Sequence, residues 1–307
     1  MINVAGRASK ATPAAAYGRV EPHATHFRHA WRRLRINRVG LGASVYLLLV
    51  SLIALAAPLV SQYVTHYDPT VTDLSQTFLG PSADHWLGTD QLGRDTLTRL
   101  VFGARISLGV GFLTTAVQLT FGGTVGVVAG YYGGWVDELL MRLTDVVLAF
   151  PAIFLFLSMA LVFRPDAVAL SLIIASVGWG LVARLVRGEV LSVRNRDFVL
   201  ATRSIGAGDA RLIIRHLLPN VAPVLIVAAS LSVGQIILVE AGLDFLGLGV
   251  PPTTPSWGNM LTSAQTLLYR SALLVLLPGI TIASTVLAAT LLGNTVRDVL
   301  DPRLRSA

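Results

Sequence analysis

The apolar residues of this chain fall into blocks of twenty or more, such as "VGLGASVYLLLVSLIALAAPLVSQY" at 39–63, separated by polar punctuation. A bilayer core of ~30 Å takes about 20 helical residues at ~1.5 Å each. Backbone crossing that core must satisfy its own polar groups, so blocks of this length fold as spanning helices. A soluble domain would need more surface charge than this chain carries: 13% of its 307 residues are charged and 53% are hydrophobic. The sequence therefore reads as an all-α polytopic membrane protein. Six spans are expected, at 39–63, 106–132, 143–163, 168–187, 221–245 and 272–296. A long loop rich in Asp, Gly and Thr covers 64–105, and a second polar segment covers 188–220. No internal repeat is visible, which disfavours architectures built from sequence-similar halves.

Basic residues orient the spans. Lys10 is the sole lysine, so the net charge of +7 is almost entirely arginine. Eight basic residues precede the first span (Arg7, Lys10, Arg19, Arg28, Arg32, Arg33, Arg35, Arg38). Seven more lie in 184–220 (Arg184, Arg187, Arg194, Arg196, Arg203, Arg211, Arg215). With both termini on one side, Arg142, Arg297, Arg303 and Arg305 join them, leaving Arg94, Arg99, Arg105, Arg164 and Arg270 opposite. The positive-inside rule then makes both termini and the 188–220 loop cytoplasmic, and the 64–105 loop extracytoplasmic. The basic pI of 10.3 reads as a topology signal, not as a nucleic-acid footprint. In the tail, residues 1–38, Phe27, Trp31 and Leu34 share a helical face flanked by Arg28, Arg32 and Arg35. That suits either a short helix on the anionic inner leaflet or an unstructured topology signal. The first apolar run is too long for the core of a cleaved signal peptide.

The absence of cysteine excludes disulfides, a thiol nucleophile and Cys-ligated metal. His23, His26, His29, His66, His85 and His216 are scattered outside the spans, so no metal site is expected. The most structured polar stretch is "DFVLATRSIGAGDARLIIRHLLPN", 197–220. Asp197 is expected to cap a first helix, Gly206 to end it in the left-handed region, and Asp209 to cap a second helix before Pro219. In that second helix Ile213 pairs with Leu217 and Ile214 with Leu218, while Arg211 and Arg215 share another face beside His216. Ordinary helix connections run ~2–8 residues, so this element exceeds a simple connector. An amphipathic helix of this kind either docks in a partner's groove or rests as an elbow on the headgroups.

Other polar residues receive structural or functional readings. In "GTDQLGRDTLTR", Gly88 and Gly93 allow tight turns, and Thr89, Asp90, Arg94, Asp95 and Arg99 belong to a folded extracytoplasmic loop that leads into a helix, pinned by local ion pairs and Asp caps. As surface pairs, these ion pairs contribute only ~0–1 kcal/mol each, so docking against a partner fits better than catalysis. Asp145 is expected to pair with Arg142 at i−3. Glu240 and Asp244 lie four apart in the outer third of the fifth span. Ionisable groups in spans are functional suspects: these two could line the pathway or its outer gate, or simply hydrogen-bond across helices. Gln235 sits ~140° around the helix from Glu240, so no single polar stripe forms. Gly122 and Gly126 permit close helix packing.

Four ordered stretches carry a family resemblance. Leu200-Ala201-Thr202, Gly206, Ile214 and then His216-Leu217-Leu218-Pro219-Asn220 resemble the cytoplasmic loop of bacterial ABC importer permeases, with Leu200 where the family has Glu. "HWLGTDQLGRDTLTRLVFGARISLGVG" (85–111), "ILVEAGLDFLGLG" (237–249), and "SWGNML" (256–261) with "LLGNTVRDVLDPR" (291–303) resemble the C-type permeases of dipeptide, oligopeptide and nickel importers. In that group Ser is usual at the position of Asp244. The resemblance covers the chain from about Trp31 onward. It implies a type I importer transmembrane-domain fold over 39–307 in the bacterial inner membrane, with a coupling loop at 188–220 seated in an ATPase cleft. It also implies four kinds of contact: a second homologous permease, two ATPase subunits, an extracytoplasmic solute-binding protein and the bilayer. Small peptides are the implied cargo, with nickel or another small solute as the alternative.

A phosphate-cradling G-x-x-x-x-G-K-[ST] loop needs its lysine, and Lys10 lacks that context. ATP and Mg are therefore expected on the partner ATPases, and no catalytic residue is expected here. A secondary transporter would instead predict repeated halves and mid-membrane coupling charges, and a membrane enzyme would predict a nucleophile or metal cluster.

Overall fold

The computed structural model describes residues 37–262 and 264–300, so the expected tail helix around Phe27 and Trp31 lies outside the described residues. Helix α1 (Arg38–Leu55) begins at Asn37, whose side chain accepts from the backbone N–H groups of Val39 and Gly40. A short α2 (Ala57–Val60) and a π turn (Ser61–Thr65) carry the chain to His66, at φ 60°. Helix α3 (Thr96–Tyr132) starts earlier than the expected 106, because Asp95 accepts from the Thr98 backbone N–H at 2.8 Å and fixes the first turn. Its 37 residues reach ~55 Å at ~1.5 Å per residue. That exceeds a ~30 Å apolar core, so the helix projects beyond it.

Helices α4 (Gly134–Ala149) and α5 (Ala152–Phe163) meet at a 79° bend, where hydropathy predicts one straight span over 143–163. Phe150 precedes Pro151 and takes an extended conformation, φ −89° and ψ 137°. Proline's ring disfavours helical geometry in the residue before it and removes one N–H donor. The rest are α6 (Ala167–Arg194), α7 (Asp197–Ser204), α8 (Asp209–Leu212), α9 (Leu218–Phe245), α10 (Ala264–Arg270) and α11 (Leu273–Leu300). Among the described residues five helices are long and apolar enough to cross a bilayer, or six if the bent pair counts as one.

The α3–α6 pair forms the centre of the fold. Gly122, Gly126 and Gly130 make a stripe on α3 that meets the α6 backbone. A Cβ on Gly126 would stand 2.5 Å from the Ala183 carbonyl oxygen, and one on Gly130 would stand 2.8 Å from Val190 Cβ. On the far side, α1 packs on α11, where the Tyr46 and Ser284 hydroxyls hydrogen-bond at 2.6 Å. Large apolar side chains such as Leu48, Val146, Phe154, Leu181 and Leu287 stay exposed on the outer surfaces, as a lipid-facing or partner-facing protein requires.

Several arginines that orient the spans also have specific partners. Arg187 makes two hydrogen bonds to Asp137 of α4, at 2.5 and 2.6 Å. Arg194 donates to the Gly130 and Tyr131 carbonyls at the end of α3. Asp145 pairs with Arg184 of α6 at 2.5 Å, not with Arg142 as expected; Arg142 instead faces Glu138 one turn back. Packing α4 beside α6 brought a distant cation closer than the local one.

Candidate functional site

The 197–220 segment is built on two anchors. Neither aspartate caps through its side chain: Arg196 and Gly208 hold the cap positions, and Asp197 and Asp209 are the first helical residues. A carboxylate there still favours the helix N-terminus electrostatically. Asp209 also accepts a hydrogen bond from the Tyr131 hydroxyl at 2.6 Å, and Arg203 lies 5.4 Å over the Tyr131 ring. Val199, Leu212 and Leu217 are buried with Val127, Val186, Val190, Val193 and Val221. Gly206 takes φ +84° in open space, so the turn demands glycine for its backbone angle and not for room.

The second helix does not end at Pro219. A π turn at Ile213–Leu217 joins α8 to α9, with the Leu218 N–H donating to the Ile213 carbonyl. Pro219 has no N–H to donate, and a wider turn relieves its clash with the preceding turn. Asn220 Nδ2 donates to the His216 carbonyl at 2.6 Å, covering one acceptor at this junction. The expected separate helix is thus the first two turns of a rod that continues through the membrane.

What remains outward is a mixed surface. Ile205 is 85% exposed, Ile214 66% and Leu200 46%, and Ala201, Arg211, Arg215, Leu218 and Pro219 are exposed beside them. His216 is half-buried, tilted against Phe198. Among the described residues neither Arg211 nor Arg215 forms an ion pair. Apolar and basic side chains lie side by side on this surface.

At the opposite end, residues 67–99 form a folded cap. Gly88 and Gly93 sit at φ +74° and +70°, and a Cβ on Gly93 would collide with the Asp73 carbonyl. Thr89 Oγ1 accepts from the Leu79 N–H at 2.9 Å and donates to the Gln76 carbonyl. Asp90 accepts from three donors, the Leu92 and Arg94 backbone N–H groups and Arg94 Nε at 2.7 Å, with Arg99 Nε as an ion-pair neighbour at 3.4 Å. The pairs are not the surface pairs expected from sequence, since the Arg94 and Arg99 side chains are only 9% and 3% exposed. Breaking such pairs costs more than breaking exposed ones. Arg94 also donates to the Pro252 carbonyl at 3.4 Å, tying this cap to the last external segment. On its rim, a hydrogen bond from the Ser75 side chain lowers the Asp73 carboxylate below its ordinary range.

His85 was not assigned a role from sequence, yet it is buried at the centre of the cap. Its Nδ1 lies 3.0 Å from Asp95 Oδ1 and its Nε2 2.8 Å from Gln76 Oε1, with the ring stacked on Tyr67. A lone histidine ten residues before a capping aspartate carries no recognisable spacing, so only the fold exposes the contact. Gly93→Ala should lower the unfolding temperature of the purified protein by several degrees. A residue forced to φ > 0 costs about 1–3 kcal/mol before the Asp73 collision is counted. Unchanged melting in that variant would contradict the role given to this turn.

Glu240 and Asp244 are both buried within the chain, at 0% and 1% exposure. Of the two readings open from sequence, hydrogen bonding across elements is the one with contacts in the fold. Glu240 Oε1 accepts from Ser107 Oγ of α3 at 3.1 Å. Asp244 Oδ1 accepts from the Val250 N–H at 2.7 Å, and Oδ2 accepts from Ser256 Oγ. Trp257 follows, fully buried, with its indole N–H on the Leu100 carbonyl. Gly103 and Gly258 open the wedge for it: a Cβ on Gly103 would stand 2.9 Å from the Trp257 ring, and one on Gly258 would stand 2.6 Å from Ala241 Cα.

By sequence, the chain matches known transport components. A family described as "Binding-protein-dependent transport system inner membrane component" matches residues 122–306, and "N-terminal TM domain of oligopeptide transport permease C" matches 25–81. The chain is 39% identical over 280 residues to the dipeptide transport system permease protein DppC of Alkalihalophilus pseudofirmus, covering 91% of each. It is 41% identical over 258 residues to the nickel transport system permease protein NikC of Escherichia coli, covering 84% of this chain and 93% of that one. The glutathione transport system permease protein GsiD of Pectobacterium atrosepticum is 38% identical, covering 92% and 93%. Among solved structures, a chain from inward-facing conformations of the MetNI methionine ABC transporter superposes with TM-score 0.53 at 18% identity, covering 66% of this chain and 96% of that one. That likeness concerns the fold alone.

Proposed function

The chain belongs to the inner-membrane permeases of binding-protein-dependent ABC importers, and from that premise we propose that it carries small peptides inward, driven by separate ATPase subunits that grip residues 197–220. The observation that carries the coupling role is the outward surface of Leu200, Ile205, Arg211, Ile214 and Arg215 on an element continuous with α9. Leu200 supplies an apolar contact where the family has a carboxylate, so docking at that position relies on packing and not on charge.

The complex comprises this chain, a second homologous permease, two ATPases holding ATP and Mg, and an external solute-binding protein. The sole lysine, Lys10, lies outside any phosphate-cradling motif, which supports nucleotide binding on the partners. Closure of the ATPases biases the permease between its two states only through their differential affinity for the loop. The cap around Asp90 and Asp95 faces the binding protein or the second permease. Peptide names among the relatives (dipeptide, glutathione) favour peptide cargo; the likeness to a nickel permease sustains nickel as the second reading.

Reconstitution tests the scheme. Vesicles holding both permeases, the ATPases and the binding protein should accumulate labelled dipeptide only with ATP. Accumulation by this chain alone, without any ATPase, would overturn it; ATP-dependent uptake of nickel in place of dipeptide would select the alternative cargo.

A further inference from the structure

The junction of α3, α9 and the 250–262 segment has one polar atom that its neighbours leave unmatched. Glu240 Oε2 is sealed from solvent, and no donor among the described residues reaches it. The donors around it are already committed. Ser107 accepts the Trp257 backbone N–H at 3.2 Å and directs its single hydroxyl proton to Glu240 Oε1. Ser256 accepts the Asn259 N–H at 3.0 Å and gives its proton to Asp244 Oδ2. Asp244 accepts a second hydrogen bond from the Val250 N–H. One carboxylate is thus well supplied with donors, while the other, one turn away on the same face of α9, has an orphaned oxygen.

No ion-pair partner accompanies either acid among the described residues. The nearest cations do not reach them: Arg99 and Arg105 lie on α3 before Ser107 and Arg94 meets the Pro252 carbonyl, but none forms an ion pair with either acid, and the 250–262 segment contains no ionisable residue. Two buried carboxylates four residues apart, both charged and without a cation, are untenable. A carboxylic acid at Glu240 resolves every atom. Its Oε2–H becomes a donor, and the acceptor available to it is the Asp244 carboxylate.

We propose that Glu240 and Asp244 form a binding site for a single proton, carried on Glu240 Oε2 and donated to Asp244. Glu240 is then a positioning residue. Its acid hydrogen bond holds Asp244 in place, and Asp244 in turn fixes Val250 and Ser256. The proton fastens the external turn that carries Trp257 to the ends of α3 and α9. The site exists in the chain's own fold and does not depend on which solute is carried.

Infrared difference spectroscopy on the full transporter in lipid reads the proton directly, and its outcome is independent of transport. The wild-type complex should show the C=O stretch of a protonated carboxyl that shifts on deuteration, and Glu240→Gln should lack it. Because a glutamine N–H replaces the acid donor, the same variant should assemble and melt within a few degrees of wild type. Coincident spectra for wild type and Glu240→Gln would overturn the proposal. So would failure of Glu240→Gln to assemble, since that would show that the charge itself is required. Stabilisation of the wild type by sodium, absent in the glutamine variant, would replace the proton with a metal ion.

Discussion

Reversing Arg211 and Arg215 together to Glu should leave the permease folded and inserted while its ATPases no longer co-purify. Both side chains are exposed and without an ion pair among the described residues, so their removal breaks no interior contact. The anchors of the loop lie elsewhere, in the Tyr131–Asp209 hydrogen bond and the burial of Leu212 and Leu217. Placing like charges across an interface costs several kcal/mol, so affinity should fall at least ~100-fold. Uptake should vanish with it. A melting curve matching wild type, alongside lost ATPase binding, is the expected pair of results. Full co-purification and transport would remove the 197–220 surface from the coupling mechanism. Gly206→Val separates shape from charge. It adds a side chain at φ +84°, which costs about 1–3 kcal/mol of strain, and should weaken coupling even though the charges are intact.

The second large effect lies at the centre of the bundle. Gly126→Leu should abolish accumulation of the folded protein. At Gly126 even a methyl would press on the Ala183 carbonyl and stand 2.8 Å from Val186 Cβ. These are backbone and β-branched atoms with no freedom to swing aside. Overpacking ordinarily costs about 1–3 kcal/mol where neighbours can relax; here the helices must separate, so the loss should be greater. Gly42, with nothing within 4 Å of its Cβ position, is the natural control: Gly42→Ala should fold normally. A stable, assembled Gly126→Leu protein would show that α3 and α6 need not touch so closely. Detergent-solubilised yield and size-exclusion behaviour measure both variants.

The spans were legible because bilayer burial acts on averages over twenty residues, and hydropathy reports those averages. Helix starts were less so. Asp95 sets the start of α3 well outside the apolar block, in a stretch where the sequence offers Asp caps and the lead into a helix but not the residue at which it begins. The bend at Phe150–Pro151 was hidden for the opposite reason: an apolar run of normal length masks a local backbone constraint. Within 197–220, helical spacing pairs Ile213 with Leu217 and Ile214 with Leu218, but only packing settles that Leu217 is buried while Ile214 and Leu218 face outward; Gly206 follows from its backbone freedom. The continuity of α8 with α9 does not, since a proline ordinarily signals a boundary. Contacts across long stretches of chain were beyond reach. Ser107 meets Glu240 across 133 positions and Arg184 meets Asp145 across 39, and nothing in local pattern encodes either.

The π turn at Ile213–Leu217 makes the grip and α9 a single piece. From Leu218 to Phe245 that rod measures ~42 Å at ~1.5 Å per residue. Its far end holds Asp244 and, through it, the Trp257 turn. On the proposed coupling, a push on the grip travels along this one helix, past Pro223 within it, to the Trp257 turn at its far end. The same proposal makes the two doorways ends of a single helix, so that opening one is coupled to shutting the other.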